Sequence, residues 1–328
     1  MIKKQIVVGL LGFGNVGTGT YQALEMNREA IKEQSGLDIS IGKILVRDPQ
    51  KDRSISIPPG VLTDDAGSIL NDPTIDIVVE LLGGLHPAGE LMLQAMNNGK
   101  HVVTANKAAL AANFKALEKA AIDNGVQLRY EASVAGGIPI LNAIRTALCS
   151  NQILEIKGIL NGTTNYMLTQ MTDHGLAYDD VLKTAQEKGF AEADPTDDVE
   201  GYDVANKLSI LIALAFGTIV SPKDIPTKGI SGITKEFIGE AKSRNNKIKL
   251  IATARNNGAG LEYRVEPEEI PFHHPLAGVN NEFNAIFIEG NAVGELMFYG
   301  RGAGPLPTGS AVLGDIIDIG KTIVPGRV

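Results

Sequence analysis

The first third of the chain alternates short apolar runs with longer stretches of helical period. Residues 5–11 read as a strand, and an amphipathic segment over 16–32 follows. Further strands are expected at 39–46, 75–81, 101–104 and 126–131, with helices at 88–98 and 108–124 that stop at Gly99 and Gly125. Runs that are apolar throughout belong to strands covered on both faces, so the alternation predicts βαβ units around a parallel sheet.

After Pro139, which suits the first position of a helix, the pattern changes. A helix, a strand at 153–160 and three more helices up to residue 216 are expected. Beyond Pro222 come two hairpins, 248–254 with 261–265 and 285–289 with 294–299. The reading is α/β: a parallel-sheet domain over 1–138 plus about 303–328, where a helix is expected at 310–321 with Thr308 or Ser310 as its N-cap. A second, α+β domain with a mixed sheet takes 139–302.

Composition narrows the function classes. The 328 residues are 44% hydrophobic, enough to fill two cores. Thirty basic against thirty-eight acidic residues give a charge of −8, with no basic block to grip a nucleic acid. The longest apolar run, 210–216, is far short of the ~20 residues that cross a bilayer. A cytoplasmic protein with no membrane partner is expected. A single cysteine, Cys149, allows neither an intrachain disulfide nor a CxxC pair, and its place after Ala147 and Leu148 reads as packing.

Gly12-Phe13-Gly14-Asn15-Val16-Gly17 closes the first strand and opens the first helix. Glycines there let the backbone approach a pyrophosphate at the helix N-terminus, so a Rossmann-type dinucleotide site is expected. At the end of the second strand stand Arg47 and Asp48, with Lys51 and Arg53 close behind. Arg47 suits a 2′-phosphate and Asp48 a free 2′-hydroxyl; because Arg47 directly follows the strand, NADP(H) is favoured over NAD(H). Lys107 ends the run His101-Val102-Val103-Thr104-Ala105-Asn106-Lys107, at the edge of the sheet where ligands bind, and reads equally as a surface charge.

In the second half a carboxylate-rich run, Glu192 to Glu200, precedes a helix bearing Asp203 and Lys207 four residues apart. Spacing alone leaves two readings open, an ordinary ion pair and a lysine tuned for proton transfer.

Read together, Gly12 to Gly17, Glu80-Leu81-Leu82-Gly83-Gly84, Thr104 to Lys107, Glu131-Ala132-Ser133-Val134-Ala135-Gly136-Gly137, Asn161-Gly162-Thr163-Thr164-Asn165 and Asp203-Val204-Ala205-Asn206-Lys207-Leu208 resemble the homoserine dehydrogenases over essentially the whole chain. The resemblance implies NAD(P)-linked interconversion of L-homoserine and L-aspartate 4-semialdehyde, on the branch to threonine and methionine. It implies Lys207 as the proton donor and acceptor at the substrate oxygen, and Lys107 as a second lysine facing nicotinamide and substrate. Glu192 and Asp203 match carboxylates that hold the amino acid, with Asp198 beside them. The helix start at Asn161, Gly162 and Thr163 is suited to the substrate carboxylate. Gly189 and Gly302 match backbone positions near the cofactor. Glu131 with the carbonyls of Val134, Gly136 and Ile138 matches a monovalent cation site, usually sodium, at the domain junction, a set of oxygens suited to a hard ion. A homodimer built through the second sheet is also implied. The chain stops short of the regulatory ACT domain of many bacterial relatives, so threonine feedback through such a domain is not expected.

Two other readings compete. An aspartate-semialdehyde dehydrogenase needs a nucleophilic cysteine, for which Cys149 is the sole candidate. A cofactor-binding sensor with a dead site would be favoured had either lysine been replaced.

Overall fold

The computed structural model describes residues 5–324. Contacts divide the chain into two compact units, one taking the chain to Gly137 and from Gly304 onwards, the other Ile138–Ala303. Residues 1–4 and 325–328, which the expected first domain includes, lie outside the described residues.

The first unit runs β1 (Gln5–Leu11), α1 (Asn15–Ser35), β2 (Asp38–Leu45), β3 (Leu62–Thr63), α2 (Gly67–Leu70), β4 (Ile77–Glu80), α3 (Ala88–Asn97), β5 (His101–Thr104), α4 (Lys107–Asp123) and β6 (Leu128–Arg129). The six strands form one parallel sheet of order β3-β2-β1-β4-β5-β6. Every residue of β4 is buried, Ile77 to Val79 as an apolar run covered on both faces requires, and Glu80 with them. The last strand is shorter than expected, because Glu131 opens a 3₁₀ turn (Glu131–Ser133) instead of pairing.

The second unit holds α5 (Ile140–Asn142), β7 (Ile153–Ile159), α6 (Gly162–His174), α7 (Tyr178–Glu187), α8 (Thr196–Val199), α9 (Tyr202–Phe216), α10 (Lys235–Ser243), β8 (Asn246–Asn256), β9 (Leu261–Pro271), β10 (Phe283–Gly290) and β11 (Gly294–Arg301). Its sheet has the order β11-β10-β7-β8-β9. A mixed sheet was the expectation; the strands pair antiparallel throughout, and the parallel element is the isolated bridge of Thr227 to Val265. β7 lies in the middle with one hairpin on each side. Pro139 stands at the N-cap of α5, with φ −79° and ψ 58°, not at its first turn.

After α5 the backbone widens into a π-helical turn (Ala143–Ala147). Leu148 then takes the buried place, at 6% exposed, and Cys149 is turned out to solvent. The expectation of a packed cysteine is therefore corrected by the rotation that the π turn adds.

β8 carries a lysine into the core. Lys249 is 1% exposed, and its Nζ donates to Asn165 Oδ1 at 2.9 Å and to the Val279 carbonyl at 2.5 Å. Burial, with Lys247 nearby and against Asp173, lowers its pKa to about 7. Asn165 in turn donates to the carbonyls of Val279, Asn281 and Phe283, so one amide and one amine fasten α6 to the segment before β10.

The chain then returns to the first unit as α11 (Pro305–Ile323). This helix starts five residues earlier than its apolar pattern suggests, since Pro305 fits the first turn and Gly304 supplies the cap at φ 121°. Thr308, expected as a cap, is a buried residue inside the helix. Val312, Ile316 and Ile319 are fully buried against the core built on Ile6, Val8, Leu10 and Leu24. The backbones of α1 and α11 touch at glycines: a Cβ on Gly309 would lie 2.5 Å from the Gly19 carbonyl carbon, and one on Gly19 would lie 1.9 Å from the Pro305 carbonyl oxygen.

Candidate active site

The carboxyl ends of β1, β2 and β4 border a cleft of about 860 Å³ in the first unit. The three glycines of the turn, of which Gly12 and Gly14 line the cleft, have separate reasons. Gly12 adopts φ 108°, and a Cβ there would meet the Leu81 carbonyl oxygen at 2.7 Å. Gly17 brings α1 against the turn, with a Cβ 2.6 Å from the Gly12 carbonyl oxygen. Gly14 meets nothing within 4 Å and faces open space, where a diphosphate can come close to the backbone. Because α1 has no side-chain cap, its first N–H groups remain available to an anion. Phe13 packs edge-on to Tyr21, and Asn15 and Val16 begin the helix.

Arg47, Asp48, Lys51 and Arg53 all line the same cleft. The Asp48 carboxylate accepts from the Gln50 N–H at 2.9 Å and so closes its own turn. Arg53 fastens that turn from the other side, donating to the carbonyls of Asp48 at 2.8 Å and Lys51 at 2.6 Å.

The opposite wall is built on Glu80, the last residue of β4 and fully buried. Its Oε1 accepts from the Leu82 N–H at 2.8 Å and from Asn106 Nδ2 at 3.4 Å, and its Oε2 accepts from the Thr104 hydroxyl at 2.7 Å. Asn106 also donates to the Gly84 carbonyl at 2.7 Å and caps α4 by accepting from the Ala109 N–H at 3.1 Å. Lys107 is thereby fixed as the first residue of α4, half-buried. The motifs containing Glu80, Thr104 and Asn106 are visible in the sequence, but their union is not. The available signal was a lone carboxylate ending an apolar strand.

In the second unit a polar cluster forms where β7 gives way to α6. Asn161 caps α6, its Oδ1 accepting from the Thr164 N–H at 2.9 Å. Its Nδ2 donates to Asp198 Oδ1 at 2.7 Å and Asp203 Oδ2 at 2.9 Å, so one amide bridges two carboxylates. Lys207 Nζ donates to Asp203 Oδ2 and to the Leu160 carbonyl, both at 2.6 Å. The pair is nearly enclosed, with side chains 12% and 9% exposed. Burial and the neighbouring Asp203 push the Asp198 carboxyl above its ordinary range, against hydrogen bonds from Asn161 and Thr163 and the charge of Lys207. Gly162 packs against the Glu282 carbonyl, which a Cβ would approach to 2.7 Å, and Thr163 donates to the Phe190 carbonyl at 2.7 Å.

The other residues singled out from the sequence take the following places. Glu192 is exposed in the turn after α7, where its carbonyl accepts from Gln186 Nε2 at 3.1 Å. Gly189 ends α7 with φ 73°. Gly302 lies under Asn284, whose Nδ2 would be 2.1 Å from an added Cβ. Glu131 is 5% exposed, and its N–H donates to Asp315 Oδ2 at 2.8 Å. Val134 is buried, and Ala135 and Gly136 follow it with left-handed φ of 54° and 49°. Ile138 opens the second unit, and its carbonyl accepts from the Ile140 N–H at 2.8 Å. Among the described residues no helix is long and apolar enough to cross a membrane.

Residues 139–317 match the family described as homoserine dehydrogenase, and residues 12–131 the one described as homoserine dehydrogenase, NAD binding domain. The homoserine dehydrogenase of Bacillus subtilis is 44% identical over 320 residues, spanning 98% of this chain and 74% of that protein. The crystal structure of a homoserine dehydrogenase from Thiobacillus denitrificans superposes with a TM-score of 0.93 at 46% identity, covering 97% of this chain and 74% of the other. That of S. aureus homoserine dehydrogenase at pH 6.5 gives 0.85 at 42%, covering 99% and 79%. The glycine turn, the polar cluster at Lys207 and these likenesses converge: the chain belongs to the homoserine dehydrogenases, NAD(P)-dependent oxidoreductases that interconvert L-homoserine and L-aspartate 4-semialdehyde.

Proposed function

We propose that Lys207 is the residue that moves the proton in this reaction. A lysine ammonium has three donors, and two are committed at 2.6 Å, to Asp203 and to Leu160. Held at two points, Nζ directs its third N–H to a substrate oxygen with little rotamer freedom left to lose. In the reducing direction that N–H neutralises the oxygen as an alcohol forms; in the oxidising direction the amine takes the hydroxyl proton. The nicotinamide, when bound, supplies or accepts the hydride. Lys107, at the first turn of α4, is proposed as the second lysine.

The substrate's ammonium is assigned to Asp203 and Glu192 with Asp198, and its carboxylate to the start of α6 at Asn161, Gly162 and Thr163. The single observation that carries this reading is the double anchoring of Lys207. Lys207→Ala tests it: cofactor binding is retained and turnover falls by about 10²–10⁴-fold, whereas a loss below about tenfold overturns the assignment.

NADP(H) is the proposed cofactor. Its support is that Asp48 spends its carboxylate on Gln50, which leaves Arg47 and Lys51 as the charges facing a ribose phosphate. The main-chain positions at Gly189 and Gly302 are assigned to the cofactor on resemblance.

A sodium ion is proposed at Glu131 and the carbonyls of Val134, Gly136 and Ile138. A nearly buried carboxylate and the left-handed turn of Ala135 and Gly136 that follows it support this assignment. Replacing sodium by choline in the buffer is expected to lower the unfolding temperature.

A homodimer is proposed through the second sheet. β11 is an outer strand whose Met297 and Tyr299 are 41% and 52% exposed on one face. A cytoplasmic setting goes with it, because a dissociable cofactor is recycled by other enzymes drawing on the same pool.

A further inference from the structure

Glu80 has no part in the proton transfer above, yet it is a fully buried acid whose three partners, Leu82 N–H, Thr104 hydroxyl and Asn106 amide, are all neutral donors. Buried carboxylates ordinarily sit against a cation, because their desolvation is costly. This one accepts at both oxygens and ties the Leu81–Leu82–Gly83 wall of the cleft to the end of β5 and to the cap of α4 from which Lys107 starts.

The sheet order fixes which end of a dinucleotide lies above it. Strands β1 and β4 are neighbours on either side of the reversal in strand order, and a dinucleotide straddles that point. The diphosphate belongs over Gly12 to Gly17, and Arg47 after β2 marks the adenosine side. The nicotinamide half then falls on the side of β4 and β5, where Glu80 ends one strand and Thr104 the other.

We infer that Glu80 is a positioning residue of the nicotinamide subsite, and that its fixed negative charge favours the oxidised, positively charged ring over the reduced, neutral one. The two forms differ by one unit of charge at the ring. A buried carboxylate close to the ring discriminates between them by about tenfold in affinity. The inference rests on the nicotinamide cofactor and on no assignment of Lys207.

Glu80→Gln keeps the shape: its Oε1 can still accept from Leu82, and its amide can donate to the Thr104 hydroxyl. Dissociation constants for NADPH, followed by the fluorescence of the bound reduced ring, and for NADP⁺, by displacement, are measured without substrate. The ratio of the NADP⁺ constant to the NADPH constant is expected to rise about tenfold in Glu80→Gln and to stay near wild type in Glu80→Asp, which keeps the charge. An unchanged ratio in Glu80→Gln overturns the inference, even if both affinities fall together, since that marks a purely structural residue. If neither form binds the wild type, the cofactor reading fails as well, which separates the two. Should Glu80→Gln not fold, Leu82→Lys, at a position 37% exposed on the same wall, sets a cation against the carboxylate and is expected to move the ratio in the same direction. An unmoved ratio there also refutes the charge role.

Discussion

Replacing Lys249 with Met should remove a specific pH dependence from the stability of the second unit. In the folded chain the amine has a pKa of about 7, and in the unfolded chain its ordinary value of 10.5 returns. Between these values the unfolded state binds one more proton than the folded state, so stability rises with pH across that window. It is fully present above 10.5 and is lost as pH falls through 7. From pH 7 to pH 9 the gain is about 2 kcal/mol at ~1.4 kcal/mol per pKa unit.

The geometry agrees with a neutral amine, whose two N–H groups match the two acceptors, Asn165 Oδ1 and the Val279 carbonyl. The charged groups acting on it are Lys247 and Asp173, and Glu268 lies opposite on β9. Met is similar in length and carries no charge, so its constant cost from the lost hydrogen bonds cancels when stabilities at two pH values are subtracted. Urea unfolding followed by circular dichroism suits a chain with no tryptophan. The difference between wild type and Lys249→Met should widen by about 2 kcal/mol from pH 7 to pH 9; a difference constant within about 0.5 kcal/mol would show that Lys249 keeps its proton when folded.

Arg47→Ala should lower kcat/KM with NADPH relative to NADH by about tenfold or more, as loss of a charge-assisted contact worth roughly 1.5–3 kcal/mol implies; an unchanged ratio shows that Arg47 does not read the phosphate. Asp198→Asn removes a buried acid held above its ordinary pKa. The native state prefers that proton, so the acid costs stability as pH rises through its raised pKa, and the variant should melt higher at pH 8 but not at pH 4. Gly302→Ala would drive a Cβ into Asn284 and should cost about 1–3 kcal/mol, seen as a lower unfolding temperature. Sedimentation should give twice the 34.7 kDa of one chain at micromolar concentration, and a lone 34.7 kDa species would count against the sheet-mediated dimer.

Much of the fold is legible because its signals are local. The glycine turn, the helix stops at Gly99 and Gly125, and the buried strands of the first sheet each follow from a few neighbouring residues. The cluster at Lys207 is half legible: the spacing to Asp203 is visible, but the amide of Asn161 that holds Asp198 and Asp203 together comes from 42 residues before Asp203. What escapes is decided at a distance. Lys249 sits in an alternating run that reads as a solvent-facing position, and Asn165, 84 residues earlier, with the Val279 carbonyl makes its burial tolerable. Glu80 reads as the polar end of a strand until Thr104 and Asn106 close over it. Cys149 shows the converse, since a single π turn upstream reverses which residue faces inward.

The return of α11 to the first unit has a consequence for how the chain is made. The ribosome delivers residues N-terminal first, at about 5–20 per second, so β1 and α1 emerge many seconds before Pro305. During that interval Gly19 and the apolar residues around Leu24 have no covering helix, while all of the second unit is synthesised between them. Closing contacts so far apart in sequence is slow, and an exposed apolar face in the meantime invites chaperones. The nucleotide-binding unit, though begun first, is therefore completed last, and a nascent chain released before α11 emerges should be open to proteolysis in residues of its first sheet.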